Sequence, residues 1–202
     1  MLTSSVPVAQ DRAGIRLLVL GAPAADARRG IDLGIAEMSQ TARLLKRDVQ
    51  EVTAQSAADS LDAVIVGPRA PRTARTRVPH VHLGALPKDG GSCSFTVATL
   101  AQDHEVTWHS SLNRYGASEL NERFVKRYGT GMTPDGYAGW IAVKAVVEAA
   151  LRPVATNDKC TALGRLRFDG HKGRPLAFDP VSRVLQQPLY VLENGRPVEA
   201  KR

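Results

Sequence analysis

Between Ile15 and Val66 the chain reads strand, helix, strand, short helix, strand, an order open to few folds. IRLLVL (Ile15 to Leu20) is an almost continuous apolar run stopped by Gly21, the pattern of a strand buried on both faces. From Asp26 to Arg47, the residues Ala27, Ile31, Ile35, Met38, Ala42 and Leu45 recur at spacings of four and three. They form one stripe of an amphipathic helix, with Asp26 available as its N-cap. Val49 to Thr53 alternates like a strand, Ala57 to Leu61 fits a short helical turn, and AVIV (Ala63 to Val66) is a second apolar run ending at Gly67-Pro68. This βαβαβ order predicts a parallel sheet with right-handed crossovers, which Val78 to Leu83 and Phe95 to Thr99 extend. Such sheets bind ligands outside the carboxyl ends of their strands. The candidate binding residues are therefore Ala22, Gly67, Pro68, Arg69, Thr73, Thr76, Gly84 and Thr99.

The segment from Trp108 to Leu151 predicts two capped helices. Leu120, Phe124 and Tyr128 fall at i, i+4 and i+8 before Gly129, and Thr133-Pro134 supplies an N-cap with proline at the first helical position. In the second helix Trp140, Val143, Val147 and Leu151 face a core, while Lys144 and Glu148 share a polar face. After Pro153 the pattern becomes a loop and then a β-rich tail, with turns at Asp169-Gly170 and Asn194-Gly195.

The chemistry legible in the chain is sparse. There is no GxSxG elbow beside Ser110 and Ser111, no HExxH and no glycine-rich loop between a strand and a helix, so the pattern does not support catalysis. His80 and His82 alternate on one strand face and are the candidates for a metal, with His104 and His109 further along. Their spacing matches no established ligand motif, and neither a metal nor a cofactor is expected. Cys93 and Cys160 form no CxxC, and the sequence leaves open whether they pair. The net charge of +7 favours an acidic partner or an anionic ligand. Much of the excess lies in Arg69, Arg72, Arg75 and Arg77, interleaved with Pro and Ala and without an aromatic, the composition of a solvated loop and not of a nucleic-acid surface. No apolar run approaches the length of a membrane span.

Three segments resemble the type I periplasmic binding proteins, the substrate-binding subunits of ABC importers for branched-chain amino acids and similar molecules. They are GIDLGIAEM (from Gly30) with TARLLKRDV (from Thr41), YGASELNERF (from Tyr115) with YAGWIAVKAV (from Tyr137), and FDGHKGRPLAFD (from Phe168) with QPLYV (from Gln187). The pattern is similar above all to a subgroup associated with PQQ-dependent alcohol dehydrogenase systems. The resemblance implies an α/β fold: a parallel Rossmann-like sheet flanked by helices, one lobe of such a protein, with a β-rich C-terminal tail. Only a dozen residues separate Phe95 from Trp108, where a two-lobed relative would insert most of its second lobe, so that lobe is expected to be largely deleted.

Residues 1–13 are expected to be a flexible segment, the remnant of a secretory leader, ahead of a single periplasmic domain over 14–202. The resemblance implies a module that binds a small polar or anionic molecule and meets an ABC permease or a periplasmic dehydrogenase. The alternative is a non-catalytic interaction module that has lost the cleft and docks an acidic periplasmic partner or pairs as a homodimer.

Overall fold

The computed structural model describes residues 14–21, 23–54, 61–70, 77–84, 91, 93–101, 104–152 and 158–199. The N-terminal segment 1–13 and the helical turn expected at Ala57 to Leu61 lie outside them, apart from Leu61 itself. The chain opens with β1 (Ile15–Leu20), α1 (Ala25–Leu44), β2 (Val49–Val52), β3 (Ala63–Val66), β4 (His80–Leu83) and β5 (Ser94–Val97). These strands form one parallel sheet in the order β2-β1-β3-β4-β5. Because β2 lies on one side of β1 and β3 on the other, the strand order reverses between β1 and β3, the switch point at whose carboxyl edge sheets of this kind take up ligands.

The sheet has two unlike faces, set by the two-residue period of its strands. Ile15, Leu17, Ala63, Ile65, Val81, Leu83, Phe95 and Val97 point to the face that packs on α1 and on α3 (Pro134–Leu151), and they form the main core with it. The opposite face carries Leu18, Val64 and Val66, packed with Leu20, Val52, Leu61 and Ala70. It then turns polar, because the register aligns Val64 with His80 and Ser94, and Val66 with His82 and Thr96.

Two helices approach unusually closely on the first face. A Cβ at Gly30 of α1 would lie 1.9 Å from the Gly136 carbonyl oxygen, and one at Gly139 of α3 would lie 2.1 Å from that of Ala27. Only glycine admits this separation, which lets α3 be buried almost all round and not along the one stripe that its apolar periodicity predicts. Lys144 and Glu148 do share a face and pair at 2.7 Å. α2 (Ala117–Tyr128) lies across α1, tied by the Tyr128 hydroxyl donating to the Arg29 carbonyl at 2.9 Å and by Arg123 on Glu37 at 2.6 Å. Leu45, assigned to the α1 stripe by its spacing, is exposed because the helix ends at Leu44.

The segment after α3 holds a short helix that apolar periodicity missed, α4 (Lys159–Gly164), capped by Asp158. It straps the amino edge of the sheet. Lys159 Nζ donates to the Leu61 carbonyl at 2.6 Å and pairs with Asp62 at 3.0 Å, just before β3. Cys160 forms a disulfide with Cys93, just before β5, with the Cα atoms 5.2 Å apart.

The tail is β-rich as expected. β7 (Arg167–Asp169), β8 (Pro175–Phe178) and β9 (Leu185–Gln186) form an antiparallel sheet beside β5, where the Thr96 N–H donates to the Arg183 carbonyl at 2.9 Å. β10 (Tyr190–Glu193) and β11 (Arg196–Glu199) turn at Asn194-Gly195 and pair with β6 (Glu105–Val106).

Candidate functional site at the carboxyl edge of the sheet

The chains leaving β1 and β3 stay joined one residue beyond the strands, where the Gly67 N–H donates to the Leu20 carbonyl at 2.8 Å. The Ala70 N–H closes a turn onto the Gly67 carbonyl at 3.1 Å, and that turn folds back on Gly21. Gly21 is left-handed (φ 71°), and a Cβ there would sit 2.5 Å from the Ala70 nitrogen, so two independent constraints require glycine. Gly67 is buried, while Pro68 and Arg69 are exposed at the crest of the turn. Arg69 makes no salt bridge with any described residue, which leaves a cation at the switch point of the sheet.

One strand further on, the Gly84 N–H donates to the Val97 carbonyl at 3.0 Å, and the Thr99 Oγ1 lies 3.9 Å from where a Gly84 Cβ would stand. The predicted site residues thus fall into two groups, Gly67 with Pro68 and Arg69, and Gly84 with Thr99. Ala22, Thr73 and Thr76 lie outside the described residues.

Both long helices start at this edge. The α1 N-cap is Ala24, which offers no side-chain cap, and not Asp26 as the stripe suggested. Asp26 sits in the first turn, where it accepts from Arg29 at 2.9 Å and from the Thr133 hydroxyl at 3.1 Å. Thr133 is the expected N-cap of α3, its Oγ1 accepting the Gly136 N–H at 3.2 Å. A carboxylate suits the first turn of a helix, whose free N–H groups and dipole present partial positive charge.

Sequence reasoning missed a buried cation nearby. Lys172 is 2% exposed, donates to the carbonyl oxygens of Thr107 and Pro188, and lies 4.5, 4.8 and 5.3 Å from the ring centres of Tyr190, Tyr137 and Trp108. Trp108 and Tyr137 stack at 4.3 Å, and the Tyr137 hydroxyl donates to the Gly170 carbonyl at 2.8 Å. Burial holds the Tyr137 phenol well above its ordinary pKa of 10.0. The cluster locks the first turn of α3 to β10 and the β7–β8 hairpin. Its only sequence signal is a lysine inside an otherwise turn-like FDGHKGRP, a residue type that is usually solvated.

His80 and His82 lie within β4 on the second sheet face, with ring centres 6.5 Å apart. Burial pushes both imidazoles below their ordinary value of 6.5; a bond to the Val78 carbonyl partly restores His80, and His80 itself lowers His82 further. His109 Nδ1 lies 2.8 Å from the exposed Ser111 Oγ. Among the described residues no three His, Cys, Asp or Glu side chains converge.

No protein-family model matches the chain, and no curated protein does. Solved structures do. An ABC transporter solute-binding protein from Rhodopseudomonas palustris BisB5, in complex with 3,4-dihydroxybenzoic acid, matches with a TM-score of 0.54 and 9% identity over 93% of this chain and 96% of that one. The fold is that of one lobe of a periplasmic binding protein. An ABC transporter substrate-binding protein from Sphaerobacter thermophilus aligns at a TM-score of 0.37 and 18% identity, over 93% of this chain and 58% of that one. LivJ, a branched-chain amino acid substrate-binding protein from Streptococcus pneumoniae in complex with isoleucine, aligns at 0.38 and 14%, over 93% and 60%. The chain therefore spans little more than half the length of these last two proteins.

Proposed function

We propose that residues 14–202 form one lobe-like domain of a non-catalytic, periplasmic, substrate-binding module. It holds a small anionic molecule, a carboxylate above all, at the β1/β3 switch point. The observation that carries this reading is the exposed Arg69, unpaired among the described residues, at the carboxyl edge of the sheet from which α1 also starts, without a side-chain cap. Arg69 offers a forked cation and the first turn offers N–H groups, the donors a carboxylate takes up. Gly84 and Thr99 stand one strand further along the same edge, and the sequence adds Thr73 and Thr76 as candidates. The Cys93–Cys160 disulfide suits an oxidising compartment. An ABC permease is the partner this reading supplies with ligand, and the resemblance to the subgroup linked to PQQ-dependent alcohol oxidation makes small organic acids from that chemistry the first ligands to test.

The test is a thermal-shift and calorimetric series with 3,4-dihydroxybenzoate, branched-chain amino acids and short organic acids. A rise in Tm of several degrees with one carboxylate class, abolished in Arg69→Ala, supports the reading. The absence of a shift with any of them would sink it.

One observation favours a second reading. The turn at Ala70 packs onto Gly21 at the switch point, and the net charge is +7, as suits a module that docks an acidic periplasmic partner such as a dehydrogenase, or a second copy of itself. Association that weakens steeply with salt, with no small-molecule effect on Tm, would select it.

A further inference from the structure

Strands of a parallel sheet are usually apolar on both faces, yet the second face of this one carries a polar square where β4 meets β5. His80 and His82 stand in register with Ser94 and Thr96, bordered on the β3 side by Val64 and Val66. Sheets break their apolar pattern in this way at functional sites more readily than elsewhere. The composition of the square narrows what it does.

His80 Nδ1 lies 2.9 Å from the Val78 carbonyl oxygen. A carbonyl only accepts, so Nδ1 carries the proton and the lone pair resides on Nε2. Fixing one imidazole nitrogen on a carbonyl so that the other can coordinate is the usual way a protein orients a histidine ligand. His82, two residues along the same strand, presents its ring to the same face. Beside it, Thr96 is 1% exposed and its Oγ1 has no hydrogen-bond partner among the described residues, an arrangement that costs stability unless something occupies the site. The square holds imidazoles and hydroxyls but no carboxylate, a donor set that suits borderline transition metals and not calcium or magnesium.

We propose that His80 and His82 bind one divalent transition-metal ion, of the Zn²⁺, Ni²⁺ or Cu²⁺ class, with the Thr96 hydroxyl hydrogen-bonding a water that completes the ion's coordination. The site lies on the second face of the sheet, with His82 two residues before Gly84, and its ligands are not among the residues of the anion-binding reading.

The test uses the full chain stripped of metal with EDTA and titrated with Zn²⁺ and Cu²⁺ by calorimetry. One ion is expected per chain, and the Cu²⁺ paramagnetic resonance spectrum is expected to show two imidazole nitrogens. His82→Asn is expected to weaken binding by about tenfold or more, whereas the double change His104→Asn with His109→Asn leaves it unaltered. Thr96→Val carries a diagnostic pair of signs. It removes an unsatisfied hydroxyl and so raises the Tm of the metal-free protein, while it lowers metal affinity. No binding, binding insensitive to His82→Asn in a folded variant, or a spectrum with a single coupled nitrogen would each overturn the site. Should His82→Asn fail to fold, the wild-type spectrum and the Thr96→Val affinity decide the matter.

Discussion

The Thr133 hydroxyl donates to the Asp26 carboxylate at 3.1 Å, tying the first turn of α1 to the N-cap of α3 across a gap of 107 residues in the chain. The same oxygen of Thr133 caps its own helix at Gly136. A single side chain thus satisfies one helix terminus and anchors the other at the edge where ligand binding is proposed. Thr133→Ala should cost about 1–2 kcal/mol by urea denaturation, and Thr133→Ser should recover most of it. A cost no larger than that of an exposed Thr→Ala elsewhere would show that the link contributes nothing.

The contact between α1 and α3 tolerates no side chain at its closest point. Gly139→Ala would place a carbon 2.1 Å from the Ala27 carbonyl oxygen, a backbone atom that cannot swing aside. The helices must separate, and overpacking of this kind costs about 3 kcal/mol or more when backbone has to move. Gly91→Ala is the control, since a Cβ there meets nothing within 4 Å. Equal melting temperatures for the two variants would contradict the close packing.

The Cys93–Cys160 bridge closes a loop with a sequence separation of 67 and fastens α4 over the amino edge of the sheet. Constraint of the unfolded chain over such a loop is worth about 4 kcal/mol in the chain-entropy account. The salt bridge from Lys159 to Asp62 beside it is partly exposed, 44% on the lysine and 15% on the aspartate, and contributes about 1 kcal/mol. Reduction, or Cys93→Ser with Cys160→Ser, should therefore lower Tm substantially, whereas Lys159→Ala should barely move it. Denaturation with and without reductant decides between them.

His80 and His82 supply a pH dependence whose sign follows from burial. Both have folded pKa values below the ordinary 6.5, so the unfolded chain takes up protons first as pH falls, and the stability these groups lend at neutral pH is lost on acidification. In EDTA, between about pH 7 and about pH 5, the wild type should lose more stability than a His80→Gln, His82→Gln double variant. Parallel curves would contradict the assignment.

Periodicity reached the elements whose burial is one-sided or continuous. AVIV, and IRLLVL apart from Arg16, declare themselves as strands because a parallel strand buried on both faces has few polar positions to interrupt it. Thr133-Pro134 marks the start of α3 because capping is a local matter of one side chain and the N–H groups next to it. Asp26 misled for the same local reason: an acidic residue suits either the N-cap or the first turn, and only packing against Thr133 distinguishes the two. α4 escaped notice because six residues are too few to show an apolar period, and the helix is held by Asp158, Lys159 and Cys160.

The candidate site divides along the same line. The βαβαβ succession and the glycines at strand ends mark the candidate edge at Gly21, Gly67 and Gly84 from the chain alone, since a carboxyl edge follows from that succession and the handedness of its crossovers. What only the tertiary structure decided is which groups meet there and elsewhere: Ala70 on Gly21, Asp26 on Thr133, Lys172 among three aromatic rings, Cys93 against Cys160, and Thr96 beside His82. Local order depends on residues a few positions apart and is written in their spacing. These contacts join residues distant in the chain, and they arise from the register and the helix separation that the assembled core imposes.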